Sequence, residues 1–206
     1  MDRNDKRFLS LLWLVVPVAL AVLVCCVTAG YSIYRRAVER ANAEIYRASQ
    51  ERKDCSGMGT TITALCMEGK TAHIAQVGDS RAYLIRNRAI LQVTTDHTLV
   101  EEMVLSGLIT PSEALSHPKR NYITRALGTA ETVEVDLLRL DTRPDDVFLL
   151  CSDGLSNSLS ERELLEIALS GMRMEDKLKT LIERALHRGG HDNITALLVT
   201  CEEAPQ

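Results

Sequence analysis

The sequence predicts an α+β domain of antiparallel strands and capped helices, preceded by a single membrane-spanning helix. Three observations carry that reading. Between Thr60 and Thr94, short β-branched-rich runs alternate with turn pairs, as in an antiparallel meander. Downstream, Thr98-x-x-Glu101, Thr110-Pro111-x-Glu113 and Ser160-x-x-Glu163 each have the chemistry of a helix N-terminus. Upstream, every residue from Phe8 to Ala29 is uncharged.

That uncharged run would span roughly 33 Å as a helix at about 1.5 Å per residue, enough for a bilayer core. Pro17 is compatible with a lipid-embedded helix, and Trp13 and Tyr31 fall toward the two interfaces. The rival reading is a secretory signal peptide, with Lys6-Arg7 before the apolar run and Val27-Thr28-Ala29 as a cleavage site. Signal h-regions are usually only about 7 to 15 residues, so length favours an anchor. Arg35, Arg36, Arg40 and Arg47 after the span outnumber Arg3, Lys6 and Arg7 before it. The bias is slight, and it places the following domain on the cytoplasmic side of the cell membrane as a single-pass protein.

From Arg36 to Arg52 the pattern is an amphipathic helix with Val38, Ala41, Ile45 and Ala48 near one face. Cys55-Ser-Gly-Met-Gly59 breaks it. Strands are then expected at Thr60–Met67, Thr71–Val77, Arg81–Arg86 and Ala89–Thr94, punctuated by Glu68-Gly69, Gly78-Asp79 and Asn87-Arg88. In the second of these turns Asp79 reads as a structural residue bonding nearby amides. Helices follow from Thr98 to Gly107 and from Thr110, then strands over Val133–Leu140 and Asp146–Ser152. A helix from Ser160 to Gly171, another from Met174 to Arg188 and a last strand at Ile194–Val199 complete the domain.

Composition narrows the function. The net charge of -4 over 206 residues, without a basic run interleaved with aromatics, gives no basis for nucleic-acid binding. The six cysteines show no C-x-x-C spacing, which argues against a zinc site. Cys66, Cys151 and Cys201 lie in apolar strand-like runs and read as small core residues.

The chain is organised around Val147-Phe-Leu-Leu-Cys-Ser-Asp-Gly154, a buried strand that ends in a carboxylate at a sharp turn. Gly154 is expected to supply unusual dihedrals that let Asp153 face a pocket; an ordinary Asp-Gly turn is the plainer reading. A second segment, Gly189-Gly-His-Asp-Asn193, stands at the mouth of the last strand. His191 there reads as solvated or structural.

Together these two segments resemble the C-terminal half of the PPM-type (type 2C) metal-dependent serine/threonine protein phosphatases, bacterial type. Val77-Gly-Asp-Ser-Arg-Ala-Tyr-Leu84, Thr95-Asp-His-Thr98 and His117-Pro-Lys-Arg-Asn-Tyr-Ile-Thr-Arg-Ala-Leu-Gly128 match the family in the same order. The resemblance runs from about Ala37 to Cys201. It divides the chain into a flank at 1–7, a transmembrane helix at 8–30, a phosphatase domain at 37–201 and a tail at 202–206.

The resemblance implies a partial β-sandwich of two antiparallel sheets flanked by helices, with the amphipathic helix packed outside one sheet. It implies hydrolysis of phosphoserine and phosphothreonine in proteins by a water activated with Mn²⁺ or Mg²⁺, two core ions in the family. Hard oxygen ligands suit those ions. By motif, Asp153 and Asp192 resemble ligands of one core ion. Asp96 matches the aspartate that, with Asp153, holds a further weak ion. Asn193 and Gly154 stand behind these ligands. Residues 98–128 look like the mobile flap of the bacterial enzymes, where Arg120 and Arg125 would face a phosphoprotein or solvent.

One departure bears on activity. The family begins with strands carrying a phosphate-binding arginine and an Asn-Glu-Asp-type motif, then Asp-Gly-x-Gly-Gly-His, whose aspartate bridges both core ions. Nothing upstream of Ala37 matches either, and Gly57-Met58-Gly59 lacks the aspartate and the histidine. Two dications about 4 Å apart repel by roughly 17 kcal/mol at an effective dielectric of about 20, which a bridging carboxylate normally offsets. The expectation is at most one well-held ion and no turnover by the chain alone. A partner chain completes the strands, the chain is a remnant, or the reading frame was cut short; the sequence leaves all three open. The expected partners are phosphorylated proteins, a membrane serine/threonine kinase and the membrane itself. A non-catalytic pseudophosphatase that binds phosphoproteins or a kinase is the alternative.

Overall fold

The computed structural model describes residues 32–202. The expected membrane span at 8–30 lies outside them, and among the described residues no helix is long and apolar enough to cross a membrane. Helix α1 covers residues 32–51. The strands are β1 (Ile62–Glu68), β2 (Thr71–Val77), β3 (Arg81–Arg86), β4 (Ala89–Gln92), β5 (Asp136–Asp141), β6 (Val147–Cys151) and β7 (Ala196–Thr200). The remaining helices are α2 (Leu99–Leu105), α3 (Pro111–Ser116), α4 (Asp153–Ser156), α5 (Glu161–Ala168) and α6 (Met174–His187).

Two antiparallel sheets result, β1-β2-β5 and β4-β3-β6-β7. The expected continuous meander is therefore broken. β1 pairs with β2 and β3 with β4, but the chain changes sheets between Val77 and Arg81. Gly78 makes that crossing possible: its φ is +111°, and a Cβ there would lie 2.3 Å from Thr61 Cγ2.

The sheets face each other across Ala72, Ile74, Ala82, Leu84, Phe148 and Leu150. β6 explains why its sequence is apolar without alternation. Phe148 and Leu150 enter the space between the sheets, while Leu149 and Cys151 face outward under α4, α5 and α6. Each such fully buried side chain contributes about 1.5–3 kcal/mol. On the opposite outer surface α1 lies on β1-β2-β5 as expected, with Val38 against Ala75, Val77 and Val135.

The helix starts agree with their sequence chemistry. Thr110 with Glu113 and Ser160 with Glu163 form reciprocal capping boxes. The Thr98 side chain accepts the Glu101 amide. β5 begins three residues later than the apolar pattern suggests. β2 offers no ladder partner beyond Gln76, so Val133 and Val135 pack under α1 instead of pairing. Cys66 also departs from expectation. It is exposed and accepts a hydrogen bond from the Tyr34 hydroxyl at 3.4 Å, because β1 is an edge strand that α1 covers only in part.

Candidate functional site

The antiparallel pairing of β6 with β7 sets Cys151 opposite Ala196, so the residues after β6 and before β7 emerge at one end of the sheet. Asp153 follows β6 and opens α4; Asp192 precedes β7. The Ser152 hydroxyl fastens the two together. It donates to Asn193 O at 2.9 Å and accepts the Thr195 amide at 2.9 Å.

Gly154 contributes in a way the sequence did not suggest. Its backbone is helical rather than unusual, and the requirement is space: a Cβ would lie 2.5 Å from Asn193 O and 3.4 Å from the Asp192 carbonyl carbon. Only glycine lets the two segments approach this closely. Asn193 touches Asp192 through its backbone, whose amide donates to Asp192 Oδ1 at 2.7 Å.

Asp153 forms part of a groove of about 730 Å³. Asp79, Arg81 and Asp96 line the same groove, and Val100, Val104, Pro111 and Leu115 of α2 and α3 form its apolar wall. Burial pushes the Asp153 carboxyl above the usual carboxylate range, and repulsion from Asp192 adds to the shift. Asp79 is displaced in the same direction by burial, then by Asp153 and Asp96. These are acids crowded together in poor solvation, the condition that a positive ion relieves.

Asp79, which the sequence presents as a turn residue, sits at the groove as well. It is 9% exposed and lines the groove. Its burial comes from the chain's change of sheet, which no local pattern announces. Asp96 does reach the groove but is already engaged. Arg81 donates to it through Nε and Nη2 at 2.7 to 3.0 Å, and Gln92 Nε2 donates at 2.9 Å. Arg125 is engaged too, by Asp136 at 2.8 Å and Glu134 at 3.4 Å. Arg120 lines the groove, with Nη1 donating to Leu115 O at 3.1 Å. His191 is exposed, its ring against Gly189. Burial pushes the Cys151 thiol up to about 12, which fits a core residue and not a nucleophile.

The donor set is of the right kind for a hard divalent cation, being carboxylate oxygen. It is not a closed cage: among the described residues no three His, Cys, Asp or Glu side chains converge tightly enough to hold an ion by themselves. Asp153 and the carboxylates crowded around it are the described oxygen donors whose chemistry suits such an ion.

Residues 30–103 match the family described as Protein phosphatase 2C. The serine/threonine phosphatase stp of Listeria monocytogenes serovar 1/2a is 42% identical over 165 residues, covering 80% of this chain and 66% of that protein. The chain thus spans just under two thirds of that relative's length. Among solved structures, the serine/threonine phosphatase Stp1 from Staphylococcus aureus superposes with a TM-score of 0.80 at 38% identity, covering 84% of this chain and 68% of that one. The catalytic domain of the serine threonine protein phosphatase PstP in complex with two manganese ions superposes with a TM-score of 0.68 at 39% identity, over 76% of this chain and 65% of that one.

Proposed function

The chain belongs to the PP2C/PPM family of serine/threonine phosphatases, bacterial type, and from that premise we propose that it is a membrane-anchored protein-phosphatase domain directed at phosphoserine and phosphothreonine in proteins. The observation that supports this most is the nearness of Asp153 and Asp192 at the paired ends of β6 and β7, with Asp153 lining a groove of about 730 Å³. In this reading Asp153 and Asp192 hold one Mn²⁺ or Mg²⁺ ion loosely, with Asp96 and Asp79 adding negative charge nearby, and the ion would neutralise charge on phosphoryl oxygens. Asn193 and Gly154 hold the two segments in place. Asp96 keeps Arg81 at the groove floor. The apolar run at 8–30 anchors the domain on the cytoplasmic face of the membrane, where a serine/threonine kinase and its phosphorylated products are the natural partners.

We further infer little or no turnover by the described residues alone, since no three of their His, Cys, Asp or Glu side chains converge on an ion. A chain that supplied further strands and carboxylates would complete the centre. The alternative is a non-catalytic module that docks phosphoproteins or a kinase.

The test uses the 206-residue chain in detergent with a phosphothreonine peptide and excess Mn²⁺. Phosphate release should stay near background, Mn²⁺ should bind weakly by calorimetry, and Asp192→Asn should weaken that binding further. Robust Mn²⁺-dependent turnover abolished by Asp153→Ala would overturn the inactive-alone reading.

A further inference from the structure

Between the groove and the loop that borders it lies one buried polar side chain to which the proposed chemistry assigns no part. His97 is 5% exposed. It holds Gly78, the residue before Asp79, through both of that residue's backbone groups. The Gly78 amide donates to His97 Nδ1 at 3.0 Å, and the His97 amide donates to Gly78 O at 2.9 Å. Because Nδ1 accepts, the ring proton sits on Nε2, which faces Asp136 Oδ2 at 3.2 Å.

Asp136 is the first residue of β5, and its other oxygen accepts Arg125 Nη1 at 2.8 Å. The His97 carbonyl accepts the Thr124 amide at 2.8 Å, and the adjoining Thr98 bridges to Ile123. His97, through its ring and its backbone, therefore joins three parts of the fold: the sheet-crossing turn that carries Asp79, the start of β5, and the loop at 122–125 that returns from α3.

We infer that His97 is a positioning residue, which holds Asp79 at the groove through Gly78 and couples that turn to the 122–125 loop through Asp136 and Arg125. The turn needs such a hold. Gly78 has a positive φ and no side chain, and the crossing has no ladder partner of its own. From the other side Gln76 Nε2 donates to Gly78 O at 2.9 Å and Ser80 O at 2.7 Å. Gln76 thus serves the carbonyls and leaves the Gly78 amide to His97 alone. A buried amide without its acceptor is unfavourable, so removing Nδ1 would release the turn toward solvent.

Two variants separate the parts of this claim. His97→Phe keeps a ring but has no acceptor. His97→Asn places an amide oxygen near the position of Nδ1 and so restores the bond to Gly78 without reaching Asp136. Amide hydrogen exchange on the full chain, without added metal, is the first readout. His97→Phe should speed exchange at Gly78, Asp79 and Ser80 by about tenfold, the loss of roughly one net hydrogen bond, while amides of β6 such as Leu149 stay protected. His97→Asn should restore protection at 78–80 while 122–125 stays loosened. Uniform acceleration in the Phe variant, or none, would overturn the inference, as would an Asn variant indistinguishable from Phe.

The second readout, Mn²⁺ affinity, rests on the proposed function. It should fall several-fold in His97→Phe and recover in His97→Asn. A parent chain that binds no Mn²⁺ would count against the ion reading of the groove, with the exchange result deciding the role of His97 separately.

Discussion

Asp146 and Arg86 form a two-pronged ion pair in which Nε donates to Oδ1 at 2.8 Å and Nη2 to Oδ2 at 2.7 Å. Asp146 is buried just before β6, and Arg86 closes β3; Nη2 also reaches Asp141 O at the end of β5, in the other sheet. The pair therefore pins the two sheets at the end opposite the groove. Breaking one partner of a buried pair strands the other charge, at a cost of about 3 kcal/mol or more. Arg86→Met should lower the urea midpoint accordingly, and the double change with Asp146→Leu should recover much of the loss.

The same pair predicts a pH response. Burial works to raise the Asp146 pKa, but the Arg86 hydrogen bonds and the Arg143 amide outweigh it and hold the group below its ordinary value. A depressed folded-state pKa means the stabilisation is present above the unfolded value and is lost as pH falls through the folded one. This residue should therefore make the fold lose stability as pH drops below about 4. In Asp146→Asn the pH dependence of stability should flatten in that window, as followed by circular dichroism.

Gly154→Ala should disturb the site without touching a carboxylate. The added methyl would meet Asn193 O at 2.5 Å, so the segment leading into β7 has to move away from α4. Overpacking of this kind costs about 1–3 kcal/mol. Thermal melting should report that loss, and Mn²⁺ binding should weaken beyond what the stability change explains, because Asp192 moves away from Asp153.

Asn42 is a polar residue on the buried face of α1, only 1% exposed. Its Nδ2 donates to Ala130 O and Glu131 O at 3.1 Å, and its Oδ1 accepts the Gly128 amide at 2.8 Å. Asn42→Ala leaves that amide buried without an acceptor and should cost about 1–3 kcal/mol. Exchange at Gly128 should accelerate more than exchange in β2.

The proposed anchor makes a prediction about topology. Fractionation should leave the full-length protein in the membrane, and protease added outside intact cells should spare the 37–201 domain. A shorter, released form would instead support cleavage after Ala29.

Much of the architecture was legible because its signals are local. A helix start needs only the few residues that Thr110–Glu113 and Ser160–Glu163 supply, and both boxes form as written. The uninterrupted apolar run at β6 reports burial on both faces wherever its partners lie. The hydrophobic pattern alone set Asp153-Gly154 and Asp192-Asn193 at strand ends, while their reading as a site rests on the family resemblance of the two motifs.

What the tertiary structure alone decided are the pairings between distant segments. Local turn chemistry at Gly78-Asp79 is the same whether the chain folds back into one sheet or passes to another, yet only the second outcome buries Asp79 beside Asp153. Asp96 looks like a free carboxylate until β3 brings Arg81 against it. Asn42 looks like an error in an apolar stripe until the 128–131 loop arrives with its unpaired backbone groups. Hydrophobic period fixes which face of an element is buried, but hydrogen-bond partners and charge neighbours are set by which elements meet, and that choice is made by the packed chain as a whole.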